Sequence, residues 1–82
     1  MVEVILTKRF KVMLSTIKDL SLRRRVLTQI AKIRANPKVG KPMRRDRRGT
    51  RELRMKPFRL SYTYLPSEGL VYIVDLYHKK RQ

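Results

Sequence analysis

Arg59, Arg54, Lys79, Lys80 and His78 are the side chains of this sequence whose types and spacing suit chemistry. The chemistry they suit is cleavage of a ribonucleotide chain without a metal. A 2′-hydroxyl attacks its own phosphorus once a group accepts its proton. Cations must then hold the extra charge on the phosphate oxygens, and an acid must protonate the leaving 5′-oxygen. His78 is the one side chain whose ordinary pKa fits both proton roles. Lys79 and Lys80 follow it directly, and a Lys crowded by other cations has its pKa lowered. Arg59 and Arg54 would only stabilise charge, because Arg effectively never deprotonates. A lone His at a strand end is more often an ordinary surface residue, so composition alone favours binding over catalysis.

Composition sets the partner. Of 82 residues, 22 are Lys or Arg and 6 are Asp or Glu, a formal net charge of +16. Such a charge repels itself and is best tolerated against an anionic partner, with nucleic acid first and an acidic protein second. Acids are too scarce for ion-pair networks of both signs to absorb it. With no Cys there is no disulfide framework, thiol catalysis or Cys-type zinc site, and one His cannot build a His-rich metal site. No cofactor is expected. The apolar run Val4-Ile5-Leu6 is too short to span a membrane or form a signal-peptide core. The expectation is a soluble, cytoplasmic protein with no membrane partner, folded as one domain over residues 1–82.

The elements that must position these residues follow from periodicity. Val2 to Leu6 is apolar and β-branched apart from Glu3, which suits a strand. Thr7 can cap a helix whose apolar face is Phe10, Met13, Leu14 and Ile17. Asp19 or Ser21 caps a second helix. Its stripe is Leu22, Val26, Ile30 and Ile33, widened by Leu27 and Ala31, and Asn36-Pro37 ends it. The short link makes the two helices a hairpin. Residues 37–49 read as a loop carrying Lys38, Lys41, Arg44, Arg45, Arg47 and Arg48 against Asp46 alone. Three strands follow. Arg51 to Lys56 alternates Leu53 and Met55 against Glu52 and Arg54. Phe58 to Leu65 alternates Phe58, Leu60, Tyr62 and Tyr64 against Arg59, Ser61 and Thr63. After the turn Pro66-Ser67-Glu68-Gly69, Leu70 to Tyr77 is apolar on both faces, as a central strand would be. His78 to Gln82 is a tail. The fold class is α+β in the order β-α-α-β-β-β, with the helical hairpin on one face of a small, mostly antiparallel sheet.

Alternation then places Arg54 and Arg59 together on the other face, with Arg51 as a further candidate. Such an array neutralises phosphates and grips them with paired hydrogen bonds. Arg44, Arg45, Arg47 and Arg48 are candidate RNA contacts beside it. Arg23, Arg24 and Arg25 are a second cluster in the first turn of helix two. Cations there oppose the macrodipole slightly, but Arg is a good helix former with a long stem, and a plain surface role is the simpler reading; the functional alternative is contact with an RNA phosphate or an acidic partner. Tyr62, Tyr64 and Tyr72 are expected in the core. Tyr77, beside the basic tail, is a candidate stacking platform for a base.

Three segments in order carry a family resemblance: Arg51-Glu52-Leu53-Arg54, Phe58-Arg59-Leu60-Ser61-Tyr62, and Val71-Tyr72-Ile73-Val74-Asp75-Leu76-Tyr77-His78-Lys79-Lys80. With Asn-Pro before a Gly-containing loop, they resemble the RelE/ParE toxin superfamily along nearly the whole chain. The resemblance implies the toxin of a type II toxin–antitoxin pair. RelE-like and HigB-like members cleave mRNA in the ribosomal A site without a metal and so inhibit translation. ParE-like members share the fold and poison DNA gyrase without catalysis. The implied partners are an acidic, RelB-like antitoxin, in a heterotetramer for example, and the ribosome with its rRNA and mRNA. Arg59 matches the Arg of the family's "YR" strand, which holds the scissile phosphate. Arg54 matches a basic position after the strand Leu, and Lys80 the second basic residue after the last strand. Two departures stand out: Glu52 occupies a position where several ribosome-dependent members have Lys, and Gln82 precedes the terminal Tyr of some members. A third reading is a non-toxic RNA-binding or ribosome-associated protein.

Overall fold

The computed structural model describes residues 1–81, Arg81 as backbone only, so Gln82 at the end of the tail lies outside the described residues. Strand β1 spans Glu3–Leu6, helix α1 Lys8–Ser15 and helix α2 Leu20–Ala35. Strands β2 (Lys41–Pro42), β3 (Arg51–Met55), β4 (Phe58–Leu65) and β5 (Leu70–His78) complete a five-stranded sheet of order β1-β5-β4-β3-β2. β1 runs parallel to β5, and the other pairs are antiparallel. Two helices on a mixed sheet are therefore the α+β architecture that the periodicity predicts.

Local chemistry fixes the helix ends. The Thr7 hydroxyl accepts from the Phe10 backbone N–H at 3.2 Å and donates to the Ile73 carbonyl at 2.8 Å, which caps α1 and ties it to β5. Asp19, rather than Ser21, caps α2: its carboxylate accepts from the Ser21 and Leu22 backbone N–H groups. α1 lies against β5 and α2 against β3. Phe10, Val26 and Ile33 from the helices meet Met55, Leu60, Tyr62, Val71, Ile73 and Leu76 from the sheet to form the buried core.

Four expectations change. The loop over residues 37–49 contains a two-residue strand and a 3₁₀ turn at Arg45–Arg47, which adds β2 to the predicted strand order. Leu27 is 52% exposed and Ala31 is exposed, so neither widens the buried stripe of α2; the helix sits on the sheet along Val26 and Ile33. Tyr72 is opposite Thr63 and Ile5, half-buried on the side away from the helices, and does not join the core. Arg51 is opposite Tyr62, on the helix side. Its guanidinium donates to the Gly40 carbonyl at 2.7 Å and the Lys38 carbonyl at 3.2 Å, so it holds the loop and leaves the outer face.

Gly40 is where that loop closes. A Cβ built there would lie 2.7 Å from the Tyr62 ring, too close for any side chain. The Gly40 N–H donates to the Tyr62 hydroxyl at 2.8 Å, and the hydroxyl donates to the Pro37 carbonyl at 2.7 Å.

Candidate phosphate-binding face

Cross-strand partners share a face of the sheet, so the register defines the surface away from the helices. One row across it is Arg54 on β3, Arg59 on β4 and Tyr77 on β5. The neighbouring row is Lys41 on β2, Glu52 on β3, Ser61 on β4 and Asp75 on β5. Arg54 and Arg59 stand directly opposite each other, the first exposed and the second half-buried. Neither makes an ion pair among the described residues; the two salt bridges are Arg9–Asp75 at 3.1 Å and Arg47–Glu52 at 2.8 Å. The Arg59 Nε is buried and has no hydrogen-bond partner among the described residues. A buried guanidinium N–H without a partner costs free energy until an acceptor fills the position. An anionic oxygen is such an acceptor.

The second row is already occupied by its own contacts. Glu52 is 7% exposed, and its carboxylate accepts from Arg47 and from the Tyr77 hydroxyl. Arg47 also donates to the Tyr77 hydroxyl, and its guanidinium lies 5.0 Å from the centre of the Tyr77 ring. Burial works against the Arg47 charge, but Tyr77 and Glu52 outweigh it and hold its pKa above the ordinary guanidinium value. Asp75 is paired with Arg9 from α1. The outer face thus has an ion-paired half and a cationic half.

The other predicted residues divide between the two sides. Lys79 and Lys80 sit in a 3₁₀ turn after β5, both exposed. The Lys79 N–H donates to the Pro57 carbonyl at 2.9 Å, which folds the tail over the β3–β4 turn. Lys79 consequently lines a narrow crevice with Arg54, Lys56, Pro57, Phe58 and Arg59. Lys80 faces the other way, toward Met13, Ile17 and Leu22. His78 is opposite Phe58, stacks edge-to-face on it at 5.6 Å, and accepts from the Lys80 N–H at its Nδ1. That register puts His78 on the helix side, away from Arg54 and Arg59, so the expected grouping of His78 with the arginines is corrected. β5 carries an irregularity where Ser61 and Tyr62 pair with Asp75 and Ile73, which skips Val74. Apolar residues on both faces of β5 gave no sign of which side His78 would take.

Two basic clusters are partly spent on structure. Arg23 donates to the Leu14 carbonyl at 2.8 Å and the Ile17 carbonyl at 3.4 Å, which caps the end of α1 from α2 and gives this Arg a structural task. Arg25 donates to the Lys56 carbonyl at 2.6 Å. Arg47 bends onto the outer face against Glu52 and Tyr77 with 43% of its side chain still accessible, and Arg24, Arg44, Arg45 and Arg48 are exposed as well. Lys41 belongs to the outer face but reads in the sequence only as part of a basic loop, because a two-residue strand containing Pro has no periodicity to read. No helix among the described residues is long and apolar enough to cross a membrane.

Two helices packed on a five-stranded mixed sheet are the RelE-like α+β fold, and solved structures share it. The isolated E. coli RelE toxin superposes with a TM-score of 0.82 at 10% identity, covering 100% of this chain and 88% of that one. The toxin chain of the intact E. coli RelBE toxin–antitoxin complex gives 0.78 at 10% identity, covering 93% and 94%. The RelBE2 toxin–antitoxin complex of Mycobacterium tuberculosis gives 0.68 at 24% identity, covering 95% and 91%. No curated protein sequence matches. A family model described as ParE toxin of type II toxin-antitoxin system, parDE, matches residues 4–82, and the chain belongs to that family within the RelE/ParE superfamily.

Proposed function

We propose that this toxin is a ribosome-dependent endoribonuclease, cleaving mRNA in the A site and inhibiting translation in the cytoplasm. The observation that carries the reading is the Arg54–Arg59 pair, opposed on an outer face, without carboxylate partners among the described residues, and with one buried N–H awaiting an acceptor. The scissile phosphate lies against the two guanidinium groups, which stabilise the charge that builds on its oxygens. Lys79, which lines the adjoining crevice, serves proton transfer, whereas Lys80 lies on the helix side. His78 takes no part at this phosphate. Exposed Arg44, Arg45 and Arg48 extend the cationic surface toward rRNA. Two of the matched structures, the E. coli RelBE and M. tuberculosis RelBE2 complexes, hold toxin with antitoxin, which supports an antitoxin partner here, and the net charge of +16 suits an acidic one.

Arg59→Ala should lower A-site cleavage by about 100-fold or more, the usual loss for one group that stabilises developing charge, while circular dichroism shows an intact fold. Toe-printing on translating ribosomes reads the outcome. If the wild-type toxin leaves no cleavage product there, the nuclease reading fails.

One observation favours a second reading, inhibition of DNA gyrase without catalysis. Glu52, held by Arg47 and Tyr77, stands on the outer face where the ribosome-dependent pattern has a proton-transferring Lys. A supercoiling assay with purified gyrase separates the two.

A further inference from the structure

Arg54 and Arg59 form a wall between two hollows. On one side is the crevice that contains Lys79. On the other is a hollow of about 430 Å³ lined by both arginines and by Val39, Lys41, Met43, Glu52 and Leu53. It exists because β2 is so short. β2 pairs with β3 only at Arg51 and Glu52, so the edge of β3 is uncovered from Leu53 onward. Val39 is 40% exposed beside that gap. Lys41, opposite Glu52, is a diagonal neighbour of Arg54, at about 7–8 Å in ordinary sheet geometry. The Glu52 carboxylate in the hollow is already compensated by Arg47.

A hollow of this size lies within the roughly 300–1,000 Å³ of small-ligand sites. Apolar side chains beside a cationic rim suit a flat base seated on the apolar surface, with its flanking phosphates reaching the cations. The geometry points to this hollow as a nucleotide subsite of the toxin, in which Val39 and Met43 receive one base of single-stranded RNA and Lys41 holds the phosphate next to the one at Arg54 and Arg59. The inference rests on the RNA reading above and adds a seat and a residue to it. It also fixes the side of the arginines on which that base lies, since the crevice beyond them, about 30 Å³, is too narrow for a base.

The test is equilibrium binding of the full chain to a 2′-O-methyl trinucleotide, which cannot be cleaved, over a salt series. Lys41→Ala should weaken binding about tenfold, as loss of a charged contact does. It should also flatten the log–log salt dependence by about 0.7, one phosphate's worth on a single strand. Lys41→Arg should retain both. Val39→Asn should weaken the trinucleotide several-fold and leave a same-length abasic ribose-phosphate oligomer unaffected. An unchanged slope in Lys41→Ala, or a Val39→Asn effect equal for both ligands, overturns the subsite. Arg59→Ala on the same trinucleotide keeps the two claims apart. If it weakens binding and Lys41→Ala does not, only the subsite falls; if it has no effect, the phosphate site at the arginines falls with it.

Discussion

Tyr62 shows how much a single residue decides here. Its ring fills the core, its hydroxyl bridges the Gly40 N–H and the Pro37 carbonyl, and its bulk forbids a side chain at position 40. Burial pushes its pKa above the ordinary 10.0, against the smaller lowering pull of Gly40 and Arg51. A raised folded-state pKa gives stability that is complete below about pH 10 and is lost as the pH rises through the raised value. Tyr62→Phe should therefore cost about 1–3 kcal/mol at neutral pH, the range for orphaned buried hydrogen-bonding groups. It should also flatten the alkaline decline in stability, as read by urea unfolding from pH 8 to 11. An unchanged alkaline decline would assign that titration to other groups. The sequence makes Tyr62 legible as core, because alternation along β4 is regular. It also makes the pairing of Arg54 with Arg59 legible, because a tight turn at Lys56-Pro57 fixes the register of β3 on β4. The side taken by His78 was not legible, nor was the contact of Arg47 with Glu52 and Tyr77. Both depend on contacts between segments distant in sequence, which no local period records.

At the scale of elements, most of the architecture follows from capping and periodicity. Thr7, Asp19 and Asn36-Pro37 mark helix boundaries by their own chemistry. The exceptions are short or shared. β2 is two residues long and exists only because Arg51 holds the loop above it. The end of α1 is completed by a guanidinium from α2, so neither helix is finished alone. Arg23→Ala should lower stability by about 1–2 kcal/mol, the worth of a charged hydrogen bond to backbone carbonyls. It should also speed amide hydrogen exchange at the C-terminal turn of α1 more than in the strands. Uniform loss of protection would show instead that the two helices open together with the sheet.

For the whole molecule, charge outweighs shape. A net charge of +16 is packed into a radius of gyration of 12.0 Å. Screening reaches about 30 Å in 0.01 M salt but only about 3 Å in 1 M salt, so the cations feel one another across the molecule in the first case and scarcely in the second. Raising salt from 0.01 to 0.5 M should stabilise the free chain by about 1 kcal/mol or more, a rise in Tm of about 4–8 °C. A flat or falling Tm would mean that internal pairing already neutralises the surface. Topology carries a further consequence. β5 lies between β1 and β4, yet it is the last of these strands to be translated. β1 has no strand to pair with until it arrives, and α1 lacks the sheet it packs on. During biosynthesis the sheet stays unclosed until the segment around Val71 to Leu76 has left the exit tunnel. A lethal product that stays inert while still tethered to the machine that makes it gives its neutralising partner time to be on hand.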